Sequence, residues 1–324
     1  MVELLSDADE EGKKRWEALS LGYTDQPGSE FLRREIAATS FQGIDASQLN
    51  VCAPQEGIFL AMHALLSPGD HVVATERPRF DPQSLVPLLR PGQTKLVVTN
   101  WPHNPTGALP SAAEQQEVID ACDRCGGWLF VDEVFRGLEH DEAQRLPCSA
   151  DVYAKGISLG GVSKTLGLPG LRIGWLASRN AAFMNRVAEL KDYTSICPPA
   201  PSEALAFIAL RARRPLLDRC RGIVADGLAA LRPFVAEHTE HLEWSQPTAG
   251  NCVFLRLRGD VSAGAYCSAI HRRAGLNIVP SSLFEECKDD RLRVTYGRAD
   301  LRALLDRWGA DLRSHGLTCG HATS

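Results

Sequence analysis

Short apolar runs rich in β-branched and aromatic residues alternate, through the first part of the chain, with longer segments of helical period. Few folds accept that order. Residues 72–75, 96–99, 128–131, 157–159 and 173–177 read as strands, and 55–66, 111–125 and 181–192 as helices between them. The expectation is an α/β fold, a mostly parallel sheet flanked by helices, with ligand groups beyond the carboxyl ends of the strands. From 215 to 238, the spacing of Leu216, Leu217, Ile223, Leu228, Leu231 and Val235 suits one long amphipathic helix able to bridge two domains. Beyond it, strands at 242–244, 252–257, 277–279 and 292–295 mix with helices at 263–273 and 300–313, the texture of a smaller α+β C-terminal domain. The expected division is an N-terminal segment 1–30, a large domain 31–214 and a small domain 215–324, with a disordered tail after Gly316.

Composition excludes some partners. Of the 324 residues, 44% are hydrophobic and 23% charged, an ordinary balance for a globular enzyme, and the net charge of −5 comes without a long basic run. Nucleic acid and anionic membranes are therefore not expected partners, and small molecules are. Residues 1–16 are acidic, then basic, with no apolar stretch, so neither a secretory signal nor an anchor is visible and a cytoplasmic protein is expected. The ten cysteines are scattered through apolar runs, which favours reduced thiols. Cys122 and Cys125 form a CxxC without a second pair at ligand spacing, so no metal is expected.

The richest segment for chemistry runs from Gly160 to Gly174, GGVSKTLGLPGLRIG. Lys164 sits there among small residues with Arg172 eight positions on, a setting for a cofactor that needs an amine for a Schiff base and a cation for a phosphate. Pyridoxal 5′-phosphate is such a cofactor; the plainer alternative is a lysine in a glycine-rich surface loop. Lys13, Lys14, Lys95, Lys155, Lys191 and Lys288 lie in polar or helix-surface contexts. The electron-withdrawing ring of the cofactor needs a carboxylate for its protonated nitrogen, and Asp132 ends the apolar run Trp128-Leu129-Phe130-Val131 at the expected sheet edge. Glu133 would point the other way. Asn104 follows another strand, where its amide suits the ring's phenolic oxygen, although Asn-Pro and Thr-Gly are also turn formers.

Taken in order, these residues carry a resemblance. The stretches LGYTDQPGSEFLRREIA (21–37), LLSPGDHVV (65–73), PHNPTG (102–107), FVDEVF (130–135), SKTLGLPGLRIGW (163–175) and RLRVTYG (291–297) resemble the fold-type I pyridoxal-phosphate enzymes of the class I/II aminotransferase family. The resemblance implies the fold-type I pyridoxal-phosphate transferase architecture, and Lys164 as Schiff-base amine and proton carrier. It also implies Asp132 on the ring nitrogen, Asn104 on the ring oxygen, Arg172 on the phosphate and Arg293 on the substrate α-carboxylate. Phe80 matches an aromatic that stacks on the ring, and Tyr23 a tyrosine that reaches the neighbouring subunit's phosphate, which implies a homodimer. The chain departs from the family pattern at three places. Gly161 stands where serine commonly holds phosphate, with Ser163 a partial substitute. Phe135 stands where tyrosine usually donates to the ring oxygen. Pro54 has no N–H to offer at the first helix of the large domain, and Gln55 is the candidate replacement. The N-terminal arm that covers substrate in relatives is short.

The expected reaction is transamination between an L-amino acid and a keto acid. The stretch LKDYTSICPPAPSEALA (190–206), with GLPGLRIGW, also resembles the capreomycidine synthase branch, so a lyase or cyclase is the alternative. A non-catalytic cofactor-binding regulator is less favoured, because the N-terminus is short and acidic for a DNA-binding segment. Arg79, Arg136, His103 and Trp101 are candidates for the substrate pocket.

Overall fold

The computed structural model describes residues 2–74, 82–284 and 288–319. The first sheet has six strands, β1 Leu49–Cys52, β2 His71–Ala74, β3 Thr94–Asn100, β4 Trp128–Asp132, β5 Gly156–Gly161 and β6 Gly174–Ala177, in the order β1-β6-β5-β4-β3-β2. Strands β2, β3, β4 and β5 are parallel, whereas β6 runs antiparallel to both its neighbours, β5 and β1. The sheet is thus mostly parallel, with one reversed strand.

The helix Ala112–Cys125 shows how the crossovers are specified. Ser111 accepts from Glu114 N–H at 3.2 Å and the Glu114 carboxylate accepts from Ser111 N–H at 2.7 Å, a reciprocal cap that fixes the start. Gly126 ends it in the left-handed region at φ 67°, where a side chain would be strained. Val118, Ile119 and Cys122 are buried in one cluster with Val97, Leu129 and Val131 of β3 and β4. Each such aliphatic side chain contributes roughly 1.5–3 kcal/mol on leaving water.

The second sheet is antiparallel throughout, in the order β7-β8-β10-β9, with β7 Leu242–Glu243, β8 Cys252–Leu257, β9 Val279–Pro280 and β10 Arg291–Thr295. Helices Ala263–Ala274 and Leu301–His315 share its core, where Trp308 Nε1 donates to the Tyr266 hydroxyl at 2.8 Å. The helix Arg213–Glu237 touches both cores: Leu217 belongs to the first, and Val224, Leu228, Leu231, Phe234 and Val235 to the second.

Several elements differ from the sequence reading. β1 was not expected as a strand, and the reversal of β6 is invisible in a run of five residues. β9 begins at Val279 rather than 277, leaving only two residues paired with β10. The expected disorder after Gly316 is wrong for residues 317–319: Leu317 and Cys319 pack against the second core, and Arg273 Nη1 donates to the Thr318 carbonyl at 2.9 Å.

Candidate active site

The sheet topology gathers the chemistry at one edge. β3, β4 and β5 are adjacent and parallel, so the residues following their carboxyl ends must meet. Asn104 follows β3, Asp132 ends β4, and Ser163 and Lys164 follow β5 on the short helix Val162–Thr165. β6 is reversed, so its start lies at this same edge, and Arg172 precedes it by two residues. β1 ends there too, paired through Cys52 with Gly174, and delivers Gln55 in the first turn of the helix Pro54–Leu65.

Asp132 sits where two strands are pinned together. Asn100 pairs with it across β3 and β4, and Asn100 Nδ2 donates to its carbonyl at 2.7 Å. Asn100 Oδ1 in turn accepts from Asn104 N–H at 2.6 Å, which seats the turn that carries Asn104. The Asp132 carboxyl accepts from Val134 N–H at 3.1 Å. Its residue is only half-buried, yet burial of the carboxyl raises its pKa from the ordinary 3.8 to about 6; Val134 N–H and the Lys164 charge oppose that rise. Glu133 points the other way and is buried, accepting from Ser149 N–H at 2.8 Å and Ser158 Oγ at 3.0 Å.

Lys164 is exposed, its Nζ 5.7 Å from the centre of the buried Phe135 ring. The helix that carries it is anchored by its neighbour: Thr165 Oγ1 lies 3.1 Å from the Val134 carbonyl and 2.9 Å from the Arg136 carbonyl. Phe135 has no hydroxyl to donate.

The second sheet closes the site from above. Arg293 on β10 donates from Nη1 to Asn104 Oδ1 at 3.5 Å, its guanidinium lies 5.9 Å from the Phe284 ring centre, and its buried Nε has no partner among the described residues. Cys252, at the start of β8, was missed in the sequence. Its Sγ is 3.6 Å from Asn104 Oδ1, and burial pushes its thiol up to about 11 against the pull of Arg293 and Lys164. Its contact with Asn104 across the two sheets reveals it; in the sequence it is one residue of an apolar run. Gly107 makes the junction tight: its φ is 68°, and an added Cβ would come within 2.8 Å of the Ala249 and Cys252 carbonyl oxygens.

At the other end, Arg172 Nη2 donates to Gln55 Oε1 at 2.9 Å and Nη1 to the Pro169 carbonyl at 3.0 Å, with the Arg172 backbone left-handed at φ 55°. Ser163 Oγ is buried and unpartnered among the described residues. Pro54 packs closely on Gly174, where a Cβ would lie 2.9 Å from Pro54 Cγ, whereas a Cβ on Gly161 would meet Pro54 Cγ only in ordinary contact at 3.5 Å.

A family pattern matches most of the chain. The pattern "Aminotransferase class I and II" covers residues 71–307.

The chain belongs to the class I and II aminotransferase family.

Within that family it is 27% identical over 237 residues to capreomycidine synthase of Streptomyces vinaceus, covering 69% of this chain and 57% of that one. It is 26% identical over 301 residues to the probable N-succinyldiaminopimelate aminotransferase DapC of Mycobacterium tuberculosis, covering 81% of this chain and 74% of that one. Its fold matches a pyridoxal-phosphate-dependent aminotransferase from Streptococcus suis with a TM-score of 0.86 at 24% identity, over 96% of this chain and 89% of the other.

The remaining expected residues lie elsewhere. Tyr23 is 88% exposed in the N-terminal segment. Phe80 and Arg79 lie outside the described residues. Trp101 and His103 are buried in the Asn104 turn, and Arg136 faces a separate pocket with Glu133. Cys122 is buried and Cys125 half-buried on one helix, and the nine described cysteines are all free.

Proposed function

We propose that this chain is a pyridoxal 5′-phosphate-dependent aminotransferase that moves the amino group of an L-amino acid to a keto acid. The observation that carries the reading is the convergence at one sheet edge of an exposed lysine amine, a carboxyl with a raised pKa and an asparagine joined to an arginine. The residues fit the cofactor at both ends. Ser163 Oγ, buried without a partner, and the Arg172–Gln55 pair suit its phosphate, while Asp132 suits the ring nitrogen and Asn104 the ring oxygen.

When bound, the cofactor supplies an aldehyde and an electron sink for the charge left after Cα deprotonation. The chain supplies the rest. Arg293 grips the substrate α-carboxylate with a two-pronged guanidinium, and its free Nε gives that fork a second donor. Lys164 Nζ is both the amine that anchors the cofactor and the base that takes the Cα proton. Asp132, carrying negative charge, stabilises a positive ring nitrogen, and its partly dry position strengthens that attraction.

A second reading, a lyase or cyclase on the same site, is favoured by Phe135, which removes a hydroxyl donor near Lys164, and by the likeness to capreomycidine synthase. Mixing the yellow protein with single amino acids and no keto acid separates the two. Stoichiometric pyridoxamine phosphate supports transamination; catalytic release of ammonia or of a ring-closed product supports the alternative. Borohydride reduction with peptide mapping tests both at once, and a label on any lysine but Lys164 overturns them.

We further propose the domain division 1–30, 31–214 and 215–324, a cytoplasmic location consistent with the free thiols, and a homodimer. An exposed apolar patch supports the dimer: Leu21, Tyr23 and Tyr193 are 84%, 88% and 90% exposed, and Phe59 is 50% exposed on the helix that carries Gln55. Thr24 Oγ1 to the Pro198 carbonyl at 3.2 Å, and Thr194 to Glu56, hold these segments side by side. Such a patch marks an interface, and a neighbour seated on it would bring its own Tyr23 toward the phosphate end.

A further inference from the structure

A cation-rich pocket adjoins the candidate site without belonging to it. Its walls include Glu133, Arg136, Cys148, Thr165 and Arg213, and none of Lys164, Asp132, Asn104 or Arg293. Its volume is about 40 Å³. One ordered water needs roughly 10–15 Å³ by the same measure, so the space suits a few waters or one small ion and is too small for a substrate-sized molecule.

The two arginines on the wall are held by neutral groups. Arg213 donates from Nη1 to the Thr39 carbonyl at 2.6 Å, and Arg136 from Nε to the Leu146 carbonyl at 3.3 Å. Among the described residues neither forms an ion pair, whereas their neighbours Arg145 and Arg221 are paired with Glu139 and Glu142. The one carboxylate on the wall, Glu133, is engaged by Ser149 N–H and Ser158 Oγ; burial raises its pKa, while those hydrogen bonds and the nearby Arg136 charge oppose the rise. Burial and then repulsion from Arg136, Arg145 and Arg221 lower the Arg213 pKa, yet arginine stays charged in a protein. Two guanidinium groups thus share one carboxylate on these walls, and Arg213 has no carboxylate partner among the described residues.

We propose that this pocket is a binding site for a small inorganic monoanion of chloride's size, seated between the Arg136 and Arg213 guanidinium groups. The anion supplies Arg213 with a counter-charge and joins the strand-to-loop segment after Asp132 to the first turn of Arg213–Glu237. Because Thr165 bridges the Val134 and Arg136 carbonyls, the same ion braces the turn beneath the Lys164 helix.

The direct test is a crystal of the pyridoxal-phosphate-loaded protein grown with sodium bromide. An anomalous peak between Arg136 and Arg213 is expected. In solution, replacing gluconate by chloride at constant ionic strength should raise the melting temperature by about 2–4 °C, as for a ligand at roughly tenfold its Kd. Arg213→Gln should abolish that response, and Arg293→Gln should keep it. Bromide found only at Arg172 or Arg293, waters alone in the pocket, or equal melting in the two salts overturns the proposal. If Arg213→Gln does not fold, the bromide map of the unaltered protein decides.

Discussion

The roles proposed for Asp132 and Lys164 are distinct and can be tested separately. The folded Asp132 pKa of about 6 lies above the ordinary 3.8, so the cofactor-free native state binds this proton more tightly than the unfolded chain does. Stability from this group is therefore greatest below about pH 4 and is lost as pH rises toward 6, on the order of 2–3 kcal/mol in all. Denaturant titrations of cofactor-free protein across that range should show the loss, and Asp132→Asn should flatten it. In the proposed site a cationic ring beside Asp132 would offset that cost, so added cofactor should stabilise the native chain most above pH 6, and Asp132→Asn should lose most of that gain. Lys164→Ala is expected to lower turnover by at least about a thousandfold with an unchanged circular dichroism spectrum, since the residue is exposed and packs little. The asparagine, aspartate and lysine were legible because each follows an apolar strand in a short motif. Cys252 and the unpartnered Arg293 Nε were not, because they acquire meaning only when β8 and β10 pair and face Asn104.

Helices were legible where one face meets the core and caps mark the ends, and strands where an apolar run is long enough to stand out. Ala112–Cys125 has a capping serine, a terminal glycine and one buried face, so its bounds could be read to within a residue. The helix Ala200–Arg211 could not: nine of its residues are buried, from Ala200 through the run 203–210, and a helix apolar all round shows no stripe. β1 is only Leu-Asn-Val-Cys, buried throughout with a polar residue inside, too short for any alternation to register. The same tight packing makes the Asn104 turn sensitive. Gly107→Ala must add a methyl group at φ 68° against the Ala249 and Cys252 carbonyls, and should destabilise the protein by about 1–3 kcal/mol. It should also weaken cofactor retention, measured by the absorbance of the bound chromophore after dialysis, because Asn104 moves with the turn.

For the whole molecule, the two sheets share the candidate site, and the proposed dimer rests on the exposed apolar patch. Light scattering should report a dimer, and Tyr193→Asp combined with Phe59→Asp should give monomers that release cofactor faster than the parent, since the patch begins one turn from Gln55. The two-sheet organisation was visible in the change of texture after residue 238, whereas the direction of β6 and the docking of residues 317–319 depend on distant partners that no local run encodes. The helix Arg213–Glu237 carries one further consequence. Its opening turns are embedded in one half of the protein and its later turns in the other, so no scissile bond along it liberates two self-sufficient fragments. A protease that nicks this rod should collapse both halves together, and expressing either half alone should yield insoluble material.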